Sequence, residues 1–234
     1  MSNAVIYICT HKDFEPKVSA DTYQILNSKD LEPYKGLDDK FWSEFLHIFH
    51  VYYNTKPPKY IGFCHYRRYF SFLDNIPNFD EIFKNNDIIA ANPIKFQVSC
   101  RDQYAHCHNI KDLEIIEDII RTKYPSYVEG MENFLNGQYF FSCNLVIMKR
   151  KDFRKWVEFV DGVMTEFLNR IGTDINKRIE ENKEDYLKGG YPNNTVDYQY
   201  RLGGYITERL TNIFLFSSFE KIYTYNLILT ENKY

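Results

Sequence analysis

Apolar positions along this chain follow two different periods. Ala4 to Cys9 and Tyr60 to Cys64 are short, almost unbroken apolar runs, the pattern of strands buried on both faces. Asp87 to Ala91, closed by Asn92-Pro93, predicts a third strand. Tyr139 to Met148 predicts a fourth, interrupted by the small and polar Ser142-Cys143-Asn144. Between them the period becomes helical. Phe41, Trp42, Phe45, Leu46 and Phe49 follow Asp38 and Asp39, either of which suits an N-cap. Phe79 to Lys84 predicts a short helix, Ile115 to Ile120 one that ends before Pro125, and Tyr127 to Leu135 one stopped by Asn136-Gly137. Lys149 to Trp156 opens another. A last helix is expected over Thr195–Phe214, where Gly203-Gly204 marks a break or a place where something packs against the backbone. Lys221 to Thr230 reads as a β-rich tail. Strands alternating with helices predict one α/β domain over 1–234. Phe14 to Leu37 is expected to be a long lid-like loop, and 172–194, which carries Gly189-Gly190, a mobile excursion.

The strand from Tyr60 stops abruptly at His65-Tyr66-Arg67-Arg68-Tyr69-Phe70. In open α/β sheets ligands bind beyond the carboxyl ends of strands. His65, Arg67 and Arg68 are therefore expected where an anion is held, because forked guanidinium donors pair two phosphate oxygens at once. A strand end with solvated arginines is the competing reading. The first strand ends at Thr10-His11-Lys12 with neither a dinucleotide fingerprint nor a P-loop. Glu44 lies between the apolar positions of its helix and faces either a pocket or solvent. Tyr104, His106, His108 and Asp112 lack metal-ligand spacing, so pairing or stacking is preferred there and no metal ligand is assigned. Asp197 and Glu208 are candidates for a base or a sugar-hydroxyl ligand, or else for partners that order Arg201 and Arg209.

Composition narrows the classes. The chain holds 20 Tyr and 19 Phe, so aromatic faces suited to sugars or bases are plentiful, although most must be core. A net charge of -3 argues against a general nucleic-acid binder. Five cysteines without C-x-x-C spacing read as reduced thiols of a cytoplasmic protein. The chain start leaves no room for a signal peptide, and no apolar run approaches 18 residues, the length read as a transmembrane span. The cations of 149–155, with Phe153 and Trp156, form either a solvated helix start or a peripheral contact with the inner face of an anionic membrane.

Four stretches together resemble one family, the bacterial glycosyltransferases of capsular and exopolysaccharide synthesis that carry a His-Tyr-Arg-Arg-Tyr-Phe signature. They are Ile6 to Lys12; Gly62 to Phe70; Gln103-Tyr104 with His108, Asp112-Leu113 and Tyr124 to Tyr127; and Tyr139 to Phe141 with Asn144, Ile147 to Lys149, Arg201, Gly204 and Thr207 to Leu210. Lys35-Gly36-Leu37-Asp38-Asp39 departs from the family pattern, and Asn144-Leu145-Val146-Ile147-Met148 differs in its middle. The resemblance implies a GT-A-like domain with a mixed, mainly parallel central sheet flanked by helices. It implies transfer of a hexose from a nucleotide-diphosphate sugar to a saccharide or lipid-linked saccharide acceptor. Asp197, Glu208 and His65 are then the catalytic candidates. Thr10, His11, Lys12, Glu44, Tyr66, Arg67, Arg68, Tyr104, His108, Asn144, Arg201 and Arg209 are the substrate-binding candidates. The sequence contains no Asp-x-Asp, so a divalent metal is left open; one expectation is that His65, Arg67 and Arg68 supply charge that a metal would otherwise bring. A non-catalytic nucleotide-sugar-binding protein of the same fold, and a glycosyltransferase acting on modified DNA bases, are the alternatives.

Overall fold

Both faces of the central strands are covered, which is why they read as continuous apolar runs. In β1 (Ala4–Thr10), Val5, Tyr7 and Cys9 enter one core, and Ala4, Ile6 and Ile8 enter another on the opposite face. The same division holds in β3 (Tyr60–His65), where Ile61 and Phe63 face the first core and Tyr60 and Cys64 the second. Alternate side chains of a strand point to opposite faces, so a sheet sandwiched between layers has no polar side to reveal its period. The structure, a computed structural model, describes residues 3–188 and 194–230.

Between these strands lie β2 (Tyr23–Asn27), α1 (Asp39–Trp42) and α2 (Glu44–Asn54). After β3 come β4 (Arg68–Phe70), α3 (Phe79–Asn85), β5 (Ile88–Ala91), β6 (Ile94–Lys95), α4 (Cys100–Cys107), α5 (Ile110–Lys123) and α6 (Val128–Asn136). The chain continues through β7 (Tyr139–Phe140), β8 (Val146–Lys149), α7 (Arg150–Ile171), α8 (Ile175–Glu181) and α9 (Lys183–Leu187). It ends with α10 (Val196–Gln199), α11 (Leu202–Ser218), β9 (Ile222–Tyr225) and β10 (Leu227–Leu229). The main sheet is eight-stranded, while β6 and β7 form a separate pair. β1, β2, β3, β5, β9 and β10 run one way, and β4 and β8 run against them. The result is the mixed, mainly parallel sheet flanked by helices expected from the sequence.

One edge of β3 is shared. Its first half, Tyr60 to Gly62, pairs with β8, whereas His65 at its end pairs with Arg68 of β4. The sheet therefore splits beside β3, and the residues 65–68 turn is delivered at the split. On the other edge β1 runs parallel in register, from Ala4 against Tyr60 to Cys9 against His65. Both strands consequently end at the same level.

Several segments differ from expectation. The stretch 14–37 contains β2, which adds a parallel edge strand to β1. Its residues, Tyr-Gln-Ile-Leu-Asn, are half exposed and lack a clean period. The expected strand 139–148 is two strands in different sheets, separated where Cys143 and Asn144 adopt φ of 60° and 53°. The helix expected from Thr195 to Phe214 is broken at Tyr200-Arg201 and then extends to Ser218. Within 172–194, α8 and α9 bury Ile175, Ile179 and Tyr186; Gly189-Gly190 lie outside the described residues. A buried network holds these helices to α5: the Asp112 carboxylate accepts from Arg178 at 2.5 Å and from Tyr186 at 2.6 Å.

The helix expected after Asp38 is also divided. Asp38 caps Phe41 N–H at 3.1 Å, but Ser43, at φ 52° and ψ -133°, ends α1 and redirects the chain into α2. Gly203 and Gly204 lie against this corner. A Cβ on Gly203 would meet the Phe41 carbonyl oxygen at 2.8 Å, and one on Gly204 would meet Ser43 Cβ at 2.8 Å. The glycine pair thus lets α11 touch the backbone that aims α2. Gly203→Ala should destabilise the protein by about 1–3 kcal/mol, the range for an overpacked core. Urea unfolding of the variant beside the parent measures it, and unchanged stability would show that the corner can yield.

Candidate functional site

A cavity of about 260 Å³ opens where β1 and β3 end. Cys9, Thr10 and His11 line it from the end of β1 and the residue after it, His65 and Arg67 from β3 and the following turn, and Asp39, Lys40, Ser43, Glu44 and His47 from the α1–α2 corner. Arg201 closes it from the break before α11. The parallel β1–β3 register brings two strand ends together, and α2 descends toward the opposite sheet edge, so its amino end faces the cavity. Ser43 provides no side-chain cap there. The positive end of an 11-residue helix dipole is added to Lys40, Arg67 and Arg201 around one opening.

Tyr66 is the floor that orders the cationic side. Its ring is buried, with Lys12 Nζ 5.0 Å and the Arg67 guanidinium 5.1 Å from its centroid. His11 meets it edge-on at 5.3 Å and His65 lies at 4.2 Å. Thr10 closes the turn beneath Lys12, donating to its carbonyl at 2.7 Å. One aromatic ring therefore positions side chains from both strand ends. Cation–π contact holds the Arg67 guanidinium without consuming the donors that an anion would use.

The titratable groups divide sharply. His65 Nδ1 accepts Arg67 N–H at 3.2 Å, so in the neutral ring the proton sits on Nε2. Burial, then Arg68 and Arg67, push the His65 pKa down to about 3. His65 is thus neutral near pH 7 and offers an N–H donor, not the charge expected alongside Arg67 and Arg68. Its Nε2 lies 3.9 Å from Glu44 Oε1, beyond hydrogen-bond reach. Burial pushes the Glu44 carboxyl above the ordinary range, and the Glu208 carboxylate adds to the effect. The Glu44 backbone N–H, Arg201 and Arg68 offset part of it. His47 donates from Nε2 to the Thr10 carbonyl at 3.0 Å, and its Nδ1 is buried without a hydrogen-bond partner.

The remaining candidates are spread along α11 and behind it. Asp197 is 79% exposed in its side chain and pairs with Lys40 at the rim. Glu208 accepts from Cys143 N–H with one oxygen and lies 3.3 Å from Arg209 with the other. Asn212, one turn on, accepts Phe141 N–H at 2.8 Å and donates to its carbonyl at 2.9 Å. Glu208 and Asn212 together hold the 141–143 strand break. Asn144 accepts from Thr211 at 2.7 Å in the buried layer beneath. Arg209 is enclosed between Tyr104 and Phe140 and donates to Gln103 at 2.8 Å. His108 stacks on Tyr205 at 4.0 Å, and Tyr205 lies under Arg201 at 5.9 Å. Tyr104, His108, Asn144 and Arg209 do not line the cavity; Arg209 leaves α11 toward Tyr104 and Phe140.

Among the candidate residues, the cavity gathers Thr10, His11, Glu44, His65, Arg67 and Arg201, with Tyr66 and Lys12 adjoining. Sequence reasoning offered Asp39 only as an N-cap and did not single out Lys40, Ser43 and His47. The signal for His47 was available: it is an imidazole amid Phe45, Leu46, Ile48 and Phe49. Ser43 gives no such signal, because its role comes from backbone conformation. Asp87 precedes β5, away from the cavity, and accepts from Lys221 N–H at 3.1 Å. Among the described residues no cluster of three His, Cys, Asp or Glu side chains could hold a metal ion.

His108 generates a pH prediction. Burial, then Arg209, lower its pKa to about 3 from an unfolded value near 6.5. Between those values the unfolded chain binds the extra proton, so this contribution is complete above pH 6.5 and is lost as pH falls toward 3. Removing the imidazole in His108→Gln should flatten the acid side of the stability curve by about 1.4 kcal/mol per pH unit. Urea titrations at several pH values compare the slopes; parallel slopes would mean that His108 is not held neutral.

The architecture is shared with a solved structure described as the apo form of WbbM, a bifunctional glycosyltransferase, at a TM-score of 0.76 and 17% identity. The match covers 99% of this chain and 46% of that one, so this chain spans less than half of its length. At that identity the likeness shows the fold, which is the GT-A-like α/β fold that the sequence implies. No curated protein matches in sequence. Residues 37–218, from the α1–α2 corner through α11, match the family described as "Domain of unknown function (DUF4422)". The chain belongs to the DUF4422 family.

Proposed function

We propose that this protein is a glycosyltransferase that moves a hexose from a nucleotide-diphosphate sugar to a saccharide or lipid-linked saccharide acceptor in capsular or exopolysaccharide synthesis. One observation carries the reading: Arg67, Arg201, Lys40 and the uncapped amino end of α2 converge on one cavity at the carboxyl ends of β1 and β3. That arrangement suits a diphosphate, whose charge increases on the leaving group as the glycosidic bond breaks. Arg67 and Arg201 hold the phosphates, Lys12 and His11 flank them, and Arg68 adds field from β4. Neutral His65 supplies an N–H donor.

Transfer also requires something to take the acceptor hydroxyl's proton. Glu44 fits better than Asp197 or Glu208. Asp197 is largely in solvent, and both Glu208 oxygens already have partners. Glu44 lines the cavity, and its raised pKa brings proton affinity closer to neutrality, where a base works best. Glu208 then acts through Glu44 by raising that affinity, while it holds the 141–143 break. Asp39, the other carboxylate at the cavity, accepts from Ser28 at 2.6 Å. Asp39 and Glu44 belong to no cluster of three metal-ligating side chains among the described residues, and no step is assigned to a metal.

Arg67→Ala and Arg201→Ala should each weaken nucleoside-diphosphate binding by about 2 kcal/mol, the scale of a charge-assisted hydrogen bond. Calorimetry with and without Mg²⁺ measures this, and undiminished affinity in both variants would place the diphosphate elsewhere. Glu44→Gln keeps shape but removes basicity, so turnover at saturating donor should drop by about 100-fold or more. Glu208→Gln removes a like charge and lowers the Glu44 pKa. The acid limb of the pH–rate profile should therefore move to lower pH. A limb that stays in place, or moves up, would separate Glu208 from Glu44.

A further inference from the structure

A second cavity, of about 420 Å³, lies at the amino-terminal edge of the sheet, where no part of the proposed transfer reaction is placed. Tyr52 and Tyr53 line it from the carboxyl end of α2, Lys56 from the turn before β3, and Arg150, Phe153 and Arg154 from the first two turns of α7. Glu44 and Tyr53 stand at opposite ends of α2. The 11-residue helix is about 16 Å long at 1.5 Å per residue, so the two cavities are separate. The volume falls within the roughly 300–1,000 Å³ of small-molecule sites.

Its lining combines two chemistries. Tyr52, Tyr53 and Phe153 form a fixed aromatic group: Tyr52 meets Tyr53 edge-on at 4.8 Å and Phe153 at 6.1 Å. Their hydroxyls are anchored, Tyr52 donating to Glu158 at 2.8 Å and Tyr53 to Asp161 at 2.6 Å. The Tyr53 residue nevertheless remains 52% exposed. Anchored rings with an open face suit the C–H surface of a sugar, since little freedom is lost on binding.

The cations are placed against local electrostatics. A helix amino end is positive and favours acidic residues, yet α7 begins with Arg150 and Lys151, continues with Arg154 and Lys155, and has Lys149 as its N-cap with no side-chain capping bond. Asp152, the acid of the first turn, is buried. The carboxylates nearest the rim are Glu158 and Asp161. Glu158 receives the Tyr52 hydroxyl and lies 3.9 Å from Arg154, while Asp161 is held by Tyr34, Tyr53 and Lys35. Arg150 donates to Pro57 carbonyl at 3.2 Å, which aims its guanidinium along the cavity wall. Such a concentration of positive charge is unfavourable by itself and becomes favourable when an anion arrives.

From this geometry we infer that the α2–α7 cavity binds an acidic saccharide, a sugar ring laid against Tyr53 with the perpendicular Tyr52 ring at its edge and its carboxylate or phosphate held by Lys56, Arg150 and Arg154. The inference does not rest on the transfer reaction. A binding site on the face away from the strand ends can hold an anionic glycan chain without occupying the donor cavity.

Calorimetric titration of the full chain with trigalacturonate and glucose 6-phosphate separates carboxylate from phosphate as the recognised acid. Maltotriose serves as the neutral control, and phosphatidylglycerol vesicles as the membrane control. At least one acidic sugar should bind ten-fold or more tightly than maltotriose. Arg154→Ala and Tyr53→Ala should each weaken it at least ten-fold, with circular dichroism confirming that both variants are folded. Arg67→Ala, in the other cavity, should leave this binding intact, so it survives even if the transferase reading fails. Failure of both acidic sugars to bind, or binding indifferent to Arg154 and Tyr53, would overturn the inference. Vesicle binding that needs Arg154, without acidic-sugar binding, would overturn it in favour of a membrane surface.

Discussion

The parallel pairing of β1 with β3 is the constraint on which the candidate site depends. Six residue pairs, Ala4 with Tyr60 through Cys9 with His65, bring the ends of both strands to one level. A shift by one residue would exchange every side chain between the two cores. Tyr7 and Phe63, stacked at 5.6 Å, would then leave the side where Phe153 and Trp156 cover Phe63. Because both sheet faces are apolar and covered, the register is strongly held. The side chains at its end and just past it, from Thr10 to Lys12 and from His65 to Arg68, inherit that precision, and Tyr66 among them is itself part of the second core.

Electrostatics at the strand ends follow from what surrounds each group. Arg67 is exposed, but Tyr66 and the adjoining histidines limit where it goes. His65 is deep enough, and close enough to two arginines, to remain neutral. Glu44 is drawn the other way by burial and by Glu208. An imidazole that rejects a proton and a carboxyl that keeps one more readily stand 3.9 Å apart. That separation of proton affinities is the usual condition for dividing donor and acceptor roles within one site.

The sequence revealed strands where both faces are buried, because the apolar run was continuous. It revealed the helices α2, α5 and α6 because their buried faces recur at helical spacing. It did not reveal β2, whose half-exposed residues carry no period. It marked Ser142-Cys143-Asn144 only as an interruption within one strand and did not reveal the break at Ser43; at Ser43, Cys143 and Asn144 non-glycine residues occupy positive φ under tertiary constraint. For the candidate cavity, Arg67 follows from its place at the end of β3, whereas Arg68 does not line it and Glu44, left between pocket and solvent by its position in the helix, does. The assignments along α11 were less legible, because a helix shows which residues share a face but not what lies opposite. Asp197 and Glu208 are both acidic residues near glycine-rich breaks, yet one is paired at the rim and the other fastened to the 141–143 backbone.

α2 links these observations. Its amino end presents Glu44 and His47 to one cavity, its middle buries Phe45, Ile48 and Phe49, and its carboxyl end presents Tyr52 and Tyr53 to another. Trp156 of α7 packs on Phe45 at 5.2 Å, so the helix that supplies the basic wall of the second cavity also supports the helix that aims Glu44. The corner at Ser43 is fixed from the other side by the close approach of Gly203 and Gly204. A helix held at one end by glycine contact and in its middle by an indole can rotate little about its axis. The direction of Glu44 is therefore set by packing well away from the carboxylate, and the precision of the site is a property of the core.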